Sequence, residues 1–237
     1  MTTAAGVVLA QASRPFPDWA WFNERNVNEL QDLLVEHSEL TVLALLFGLL
    51  IAVPLAVATV RWRRLYNPLL NFTGVLFTVP SAALFILLLA VLPSTPPFGL
   101  RMGTSLIGLT IYTLLILFRN TVAGLESVPR DVTEAATAMG YTTGRQLLRV
   151  EFPLALPVII AGIRIAAVTT IGLVTVTAFI GQGGLGRLFI SGFRTQYAME
   201  VAVGLVFSIL LAVIVDLALV GTERLLTPWS RARRVEA

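Results

Sequence analysis

Long runs of sequence without charge constrain this chain more than any other feature. Thr41–Val60 is uncharged throughout and is followed at once by Arg61, Arg63 and Arg64. Leu65–Leu100 is also uncharged, with Pro93, Pro96 and Pro97 near its end. Gly103–Phe118 stops sharply at Arg119, Leu154–Ile180 is apolar except for Arg164, and Val201–Thr222 is apolar except for Asp216. A helix crossing a hydrocarbon core of ~30 Å needs about 20 mostly apolar residues. Because prolines end helices, spans are expected at about 41–60, 69–92, 103–118, 154–180 and 201–222. The expected fold is all-α, a polytopic membrane bundle of five helices.

Composition points the same way. Only 13% of the 237 residues are charged and 56% are hydrophobic, against about 25% and 45–50% in soluble domains. A soluble chain this short has too little interior to hide so much apolar surface. The absence of cysteine excludes disulfides, thiolate metal sites and cysteine nucleophiles, and the single histidine, His37, excludes histidine clusters. No metal site is expected.

The net charge of +3 could suggest nucleic acid, but the placement of the arginines argues for a membrane and against nucleic acid. Positively charged loops stay cytoplasmic. With the N-terminus outside, the inner segments hold Arg61, Arg63, Arg64, Arg119, Arg130, Arg145, Arg149, Arg224, Arg231, Arg233 and Arg234. The outer segments then hold only Arg14, Arg25, Arg101, Arg187 and Arg194. This predicts an outside N-terminus and an inside C-terminus.

Three regions follow: an external tail over residues 1–40, a transmembrane domain over 41–223 and a basic cytoplasmic tail over 224–237. Within the tail, Ala10-Gln11-Ala12 faintly resembles a signal-peptide cleavage site, but the segment lacks a basic start and is too short to span. Val27, Leu30, Leu33, Leu34 and Leu40 alternate at helical spacing with Glu24, Glu29, Asp32, Glu36 and Glu39, which predicts an amphipathic helix on the outer surface. Phe16, Trp19, Trp21 and Phe22 suit an interfacial aromatic belt. His37 is expected to be a wet interfacial side chain.

The inner loop over residues 119–153 is long and organised. Ser127 can cap a helix with Pro129 in its first turn, Asp131 and Glu134 favour its positive end, and Gly140 can close it in a left-handed conformation. Thr142 or Thr143 can start a second helix that Pro153 stops after Phe152. Ala135, Ala136 and Ala138, with Met139 beside them, form a small face suited to docking in a partner's groove.

Glu134-Ala135-Ala136, then three residues, Gly140, then nine residues and Val150-Glu151-Phe152-Pro153, resembles the "EAA" signature of ABC importer permeases. Val150 and Phe152 stand where the family pattern has Ile and Leu. Thr78-Val79-Pro80-Ser81-Ala82-Ala83-Leu84, Leu117-Phe118-Arg119-Asn120-Thr121 and Pro157-Val158-Ile159-Ile160-Ala161-Gly162-Ile163-Arg164 are similar to segments of the glycine betaine/carnitine/choline permeases. Ala178-Phe179-Ile180-Gly181-Gln182-Gly183-Gly184-Leu185-Gly186 resembles their glycine-rich outer loop. The resemblance implies that Glu134, Ala135, Ala136, Met139, Gly140, Val150 and Pro153 couple the chain to a cytoplasmic ABC ATPase dimer. It further implies a second permease copy or a homologous permease, an external substrate-binding protein, and a place in the bacterial cell membrane. Methionine and phosphonate permeases share this architecture, so the solute stays open.

Gly181-x-Gly183-x-x-Gly186 also matches a dinucleotide fingerprint, but that motif must follow a buried strand, and here it follows a membrane helix. With no lysine in the chain there is no Walker motif, so ATP is expected to be used by the partner and no cofactor to be bound here. Gly181, Gly183, Gly184 and Gly186 could fold tightly over the outer mouth of a pathway, or form a mere turn.

Arg164 and Asp216 fall at comparable depth in adjacent spans. An unpaired charge there costs at least ~2.5–3.5 kcal/mol, so either a mutual pair or separate backbone partners are expected. Small residues such as Gly162 and Ala166 favour close helix packing, while Thr169, Thr170, Thr175 and Thr177 could instead line a polar route. Pro54 and Pro80 are expected to kink their spans. An ATP-independent osmolyte channel would want a charged ring, and an intramembrane enzyme would want paired aspartates or Ser/His groups. Arg164 and Asp216 are the only charges the spans offer either class.

Overall fold

The computed structural model describes residues 16–92 and 99–229. The Ala10-Gln11-Ala12 segment, Arg14, the prolines at 93, 96 and 97, and Arg231, Arg233 and Arg234 lie outside the described residues. Among the described residues the regular elements are all helical. The helices are α1 (Glu24–Arg61), α2 (Tyr66–Thr78), α3 (Ser81–Val91), α4 (Leu100–Glu126), α5 (Arg130–Ala138), α6 (Thr143–Gln146), α7 (Phe152–Val176), α8 (Gly186–Thr195) and α9 (Ala198–Leu226). Short 3₁₀ turns occupy Trp19–Trp21, Arg63–Leu65 and Thr177–Ile180. Among the described residues, four helical segments are long and apolar enough to cross a membrane, or five if the bent pair around Val79 and Pro80 is one span.

The chain forms two compact units. The first takes residues up to Leu43, Pro80–Leu109 and Ile171–Val213, and the second takes Ala44–Val79, Thr110–Thr170 and residues from Ile214 on. In the first, Trp21, Leu30 and Leu33 pack with Leu185, Leu188, Tyr197, Met199 and Val203. In the second, Ala52 and Ala56 of α1 meet Leu117, Phe118 and Val122 of α4 and Ala166 of α7.

Small residues make the second core possible. A Cβ on Gly162 would lie 2.2 Å from Asn120 Cβ, and one on Gly124 would lie 2.9 Å from Ile159 Cγ1. Glycine at both places lets α4 and α7 approach more closely than larger residues would permit. Thr170 and Thr113 share a hydrogen bond of 3.0 Å between these helices. Thr175 and Thr177 bond carbonyls of their own turn.

Three expectations are corrected. First, residues 24–40 are not a separate surface helix, because α1 runs unbroken through position 41. Among its buried positions, Leu30, Leu33, His37, Leu40, Ala44, Gly48, Ala52, Ala56 and Thr59 recur every three or four residues without a change of phase, and Thr41 lies on the same face. A single stripe holds one helix of roughly 57 Å at 1.5 Å per residue, and His37 is fully buried within it. Pro54 sits inside this helix without ending it.

Second, the stretch 69–92 is not one kinked helix. α2 and α3 are bent by 94°, with Val79 extended at ψ 127°. A residue before proline is sterically pushed out of the α region, and Pro80 is itself extended at ψ 125°. Two successive extended residues break the helix. Third, Pro153 does not stop the helix before it. Leu147–Glu151 widens into a π turn that leads straight into α7. A proline ring crowds the carbonyl four residues back, here Arg149, and the wider turn accommodates the displaced carbonyl.

Candidate functional site

The region between α4 and α7 is built around a short, exposed helix. α4 extends to Glu126, so the loop is shorter than its expected start at Arg119. Pro129 precedes the first turn of α5 and Asp131 lies in it. Ser127 does not cap α5 as expected, because its hydroxyl donates to the Gly124 carbonyl at 2.7 Å and so belongs to the end of α4. The far end of α5 closes on Gly140 at φ +82°. The Gly140 N–H donates to Thr137 O at 2.9 Å and the Tyr141 N–H to Ala136 O at 3.1 Å. This paired bonding is the Schellman arrangement, which satisfies carbonyls a helix end otherwise leaves open.

Ala136 turns inward and is buried, whereas Glu134, Ala135, Ala138, Met139 and Gly140 are exposed. Met139, at 70% exposure, is a flexible apolar side chain set largely in the open. Val150 lies in the π turn and is half-buried, and Pro153 continues the helix as described. On either side of the loop in sequence, Leu125, Val128, Ala155 and Ile159 form an apolar cluster, packed by Val60, Leu147 and Phe152.

Sequence reasoning passed over three polar residues here. Glu151 is 6% exposed, and its Oε1 accepts from Gln146 Nε2 at 2.9 Å and from an Arg61 guanidinium nitrogen at 3.3 Å. The same nitrogen of Arg61 also donates to Thr143 O at 3.2 Å. Glu151 occupies a variable position of the motif, and Arg61 was read only as a topological charge. Their proximity arises from tertiary packing of residues 90 positions apart.

Arg164 and Asp216 are brought together. The guanidinium donates two bonds to the carboxylate, Nε to Oδ1 at 2.8 Å and a terminal nitrogen to Oδ2 at 2.9 Å. Glu223, two turns further along α9, stands 3.7 Å from the remaining nitrogen. A two-pronged pair of this kind fixes orientation as well as charge.

The glycine-rich turn is filled by the chain itself. Gly181, Gly183 and Gly184 have φ of 80°, 116° and 48°. The N–H groups of Gly183 and Gly184 both donate to Glu36 Oε1, at 3.0 and 3.1 Å. Successive N–H groups in such a turn form a small anion-binding concavity, and the α1 carboxylate occupies it. Arg187 stands 3.8 Å from Glu36. His37 lies against Gly184, with its Nε2 hydrogen-bonded to Ile171 O at 3.0 Å. Gly186 sits on the Thr175 carbonyl.

Among the described residues, no group of three His, Asp or Glu side chains could hold a metal ion.

Comparison with known proteins shows the family of the chain. Residues 44–227 match the family model for the binding-protein-dependent transport system inner membrane component. The chain is 33% identical over 207 residues to the glycine betaine/carnitine/choline transport system permease protein OpuCB of Bacillus subtilis, covering 87% of this chain and 93% of that protein. It is 36% identical over 203 residues to the osmoprotectant import permease protein OsmW of Salmonella typhimurium, covering 86% and 94%. Among solved structures, the inward-facing MetNI methionine ABC transporter aligns with a TM-score of 0.77 at 22% identity, over 87% of this chain and 100% of that one.

Proposed function

The chain belongs to the binding-protein-dependent transport system inner membrane components, and on that premise we propose that it is the permease subunit of an ABC importer for a small quaternary-ammonium solute. The solute class is that named for its relatives: glycine betaine, choline or carnitine. Two permeases, either identical or homologous, would enclose the path, with an ATPase dimer on the cytoplasmic side and a solute-binding protein outside. The N-terminus would be outside and the C-terminus inside the bacterial cytoplasmic membrane. The chain itself would hydrolyse nothing and bind no cofactor, ATP being consumed by the partner. Movement of solute inward would follow alternating access, driven through Glu134, Ala135, Ala136, Met139 and Gly140, with Val150 and Pro153 at the junction to α7.

The observation that carries this proposal is α5. Its small and flexible side chains face outward on a helix closed by Gly140, with Ala136 buried on the opposite side. A helix of this kind suits a groove in a partner, and it is the least self-explanatory surface of an otherwise apolar molecule.

The test is reconstitution of the permease with an ABC ATPase and a solute-binding protein from the same organism. Uptake of labelled glycine betaine, choline or carnitine that needs all three components is expected. Uptake of methionine or a phosphonate instead would replace the solute class, and uptake without the ATPase would favour a channel. A reporter fused at Ala237 should read as cytoplasmic, and external exposure there would end the proposed topology.

A further inference from the structure

We infer that Glu151 is a positioning residue through which displacement of α5 is delivered directly to α1. The inference rests on the permease reading above. Burying a carboxylate is costly unless it is paired and hydrogen-bonded. Its neighbours Val150 and Phe152 show that apolar side chains suit this stretch, yet a buried carboxylate occupies the position between them. What it supplies is connection.

The links converge on Glu151 from α5 on one side and α1 on the other. Thr137, on the last turn of α5, has its hydroxyl 3.2 Å from Gln146 Oε1 and 2.9 Å from Thr133 O, so its single proton serves either acceptor. Gln146 is buried, and its amide donates to Glu151. Glu151 in turn accepts from Arg61, the last residue of α1, which also holds the Thr143 carbonyl. Thr142, Thr143, Gly144 and Arg145, between Tyr141 and Gln146, are exposed. The polar chain therefore bypasses a thinly packed connection and ends on a helix that the backbone reaches only through α2, α3 and α4. The π turn at Leu147–Glu151 sets the direction of the Glu151 side chain. Arg61 and Glu151 would then move as one body with α5.

The experiment uses the complete transporter in proteoliposomes, with ATP hydrolysis and glycine betaine import measured together. Glu151→Ala should still bind the ATPase, while import per ATP falls about fivefold or more, within the range known for residues that carry coupling. Glu151→Gln, which keeps an acceptor for Gln146 and weakens the hold on Arg61, should fall by about half that factor. Arg61→Ala should resemble Glu151→Ala, and Arg61→Lys should recover part of the loss. A wild-type import ratio in Glu151→Ala would overturn the inference. Should that variant fail to assemble, Glu151→Gln decides: a lowered ratio supports the inference, and a normal ratio or failed assembly assigns Glu151 to folding alone. Wild-type vesicles that import no glycine betaine would count against the proposed solute. The variants would then be read from stimulation of ATP hydrolysis by the binding protein.

Discussion

Two glycine-closed turns in this molecule solve opposite problems. At Gly140 the backbone is left-handed, and a Cβ added there would meet nothing within 4 Å. At Gly183, Gly184 and Gly186 an added Cβ would fall 2.4 Å from Ala178 N, 2.6 Å from His37 Cβ and 2.3 Å from Thr175 O. The first glycine is needed for its conformation and leaves α5 free above it. The others are needed for room, Gly183 and Gly184 for conformation as well, and the turn they form is occupied by Glu36 and His37 of α1. One turn presents a helix, and the other is held. Substitutions should therefore damage folding at the glycine-rich turn and function at Gly140.

The largest effect is expected at the crowded turn. In Gly183→Ala and Gly186→Ala the new methyl meets backbone, which cannot swing aside as a flexible side chain would. Overpacking costs about 1–3 kcal/mol, and a left-handed Cβ adds about 1–2 kcal/mol at Gly183. Thermal unfolding in detergent should show a clear drop in midpoint for both. An unchanged midpoint would erase the contrast between the turns.

Next comes the ion pair within the second unit. Arg164→Asp or Asp216→Arg alone sets like charges against each other. Each should lose assembly to the extent of ~2.5–3.5 kcal/mol, the insertion cost of an unpaired charge. The double reversal should restore most of the complex recovered on purification. Normal recovery of both single variants would remove the pair from the account.

A smaller effect is expected at Glu36. Glu36→Ala leaves the Gly183 and Gly184 N–H groups without their acceptor, a loss of about 1.5–3 kcal/mol for bonds to a charged group. Glu36→Gln keeps an oxygen in place and should lose about half. Faster amide exchange in peptides spanning the glycine-rich turn is the measurement. Exchange at the wild-type rate in Glu36→Ala would mean that water replaces the carboxylate at no cost.

The sequence made some of this visible and not the rest, for physical reasons. The apolar runs predict membrane-length helices because hydrocarbon thickness is a strict ruler, and the motif around Glu134 marks α5 because its residue types and spacing are specific. Gly140 was legible because a helix end needs a left-handed residue there. His37, expected to be wet, is buried, and Glu36, expected on the polar face of an outer-surface helix, is a hydrogen-bond acceptor within the fold. Their acid-rich neighbourhood looks solvated until the Gly183–Gly184 turn supplies donors from 147 and 148 positions away. The continuity of α1 was visible in principle, since the stripe from Leu30 to Thr59 keeps its phase, but the change from acidic to uncharged residues at position 40 suggested a boundary. Around Pro153 the local rule that proline ends a helix was overridden by a π turn, which single-residue preferences do not announce.

The smallest effect on stability, and the sharpest test of the comparison, is expected at Gly140. Gly140→Val places a β-branched side chain at φ +82°, at a cost of about 1–2 kcal/mol. No neighbour is displaced, so the unfolding midpoint should move little. The strain is instead relieved by opening the Gly140 and Tyr141 hydrogen bonds that close α5, which re-aims the helix. Gly140→Asn is the control, because asparagine tolerates the left-handed region, and it should transport nearly normally. Glu134 is exposed, so Glu134→Lys should also leave the fold intact while reversing the charge offered to a partner. Solute uptake and co-purification of the ATPase, measured at matched expression, separate the outcomes. Loss of uptake in the valine and lysine variants, with asparagine active, would show that α5 works through its aim and its surface. If both damaged variants bind the ATPase and transport like wild type, α5 is not the coupling element, and the turn that presents it has no more functional weight than the turn that is held.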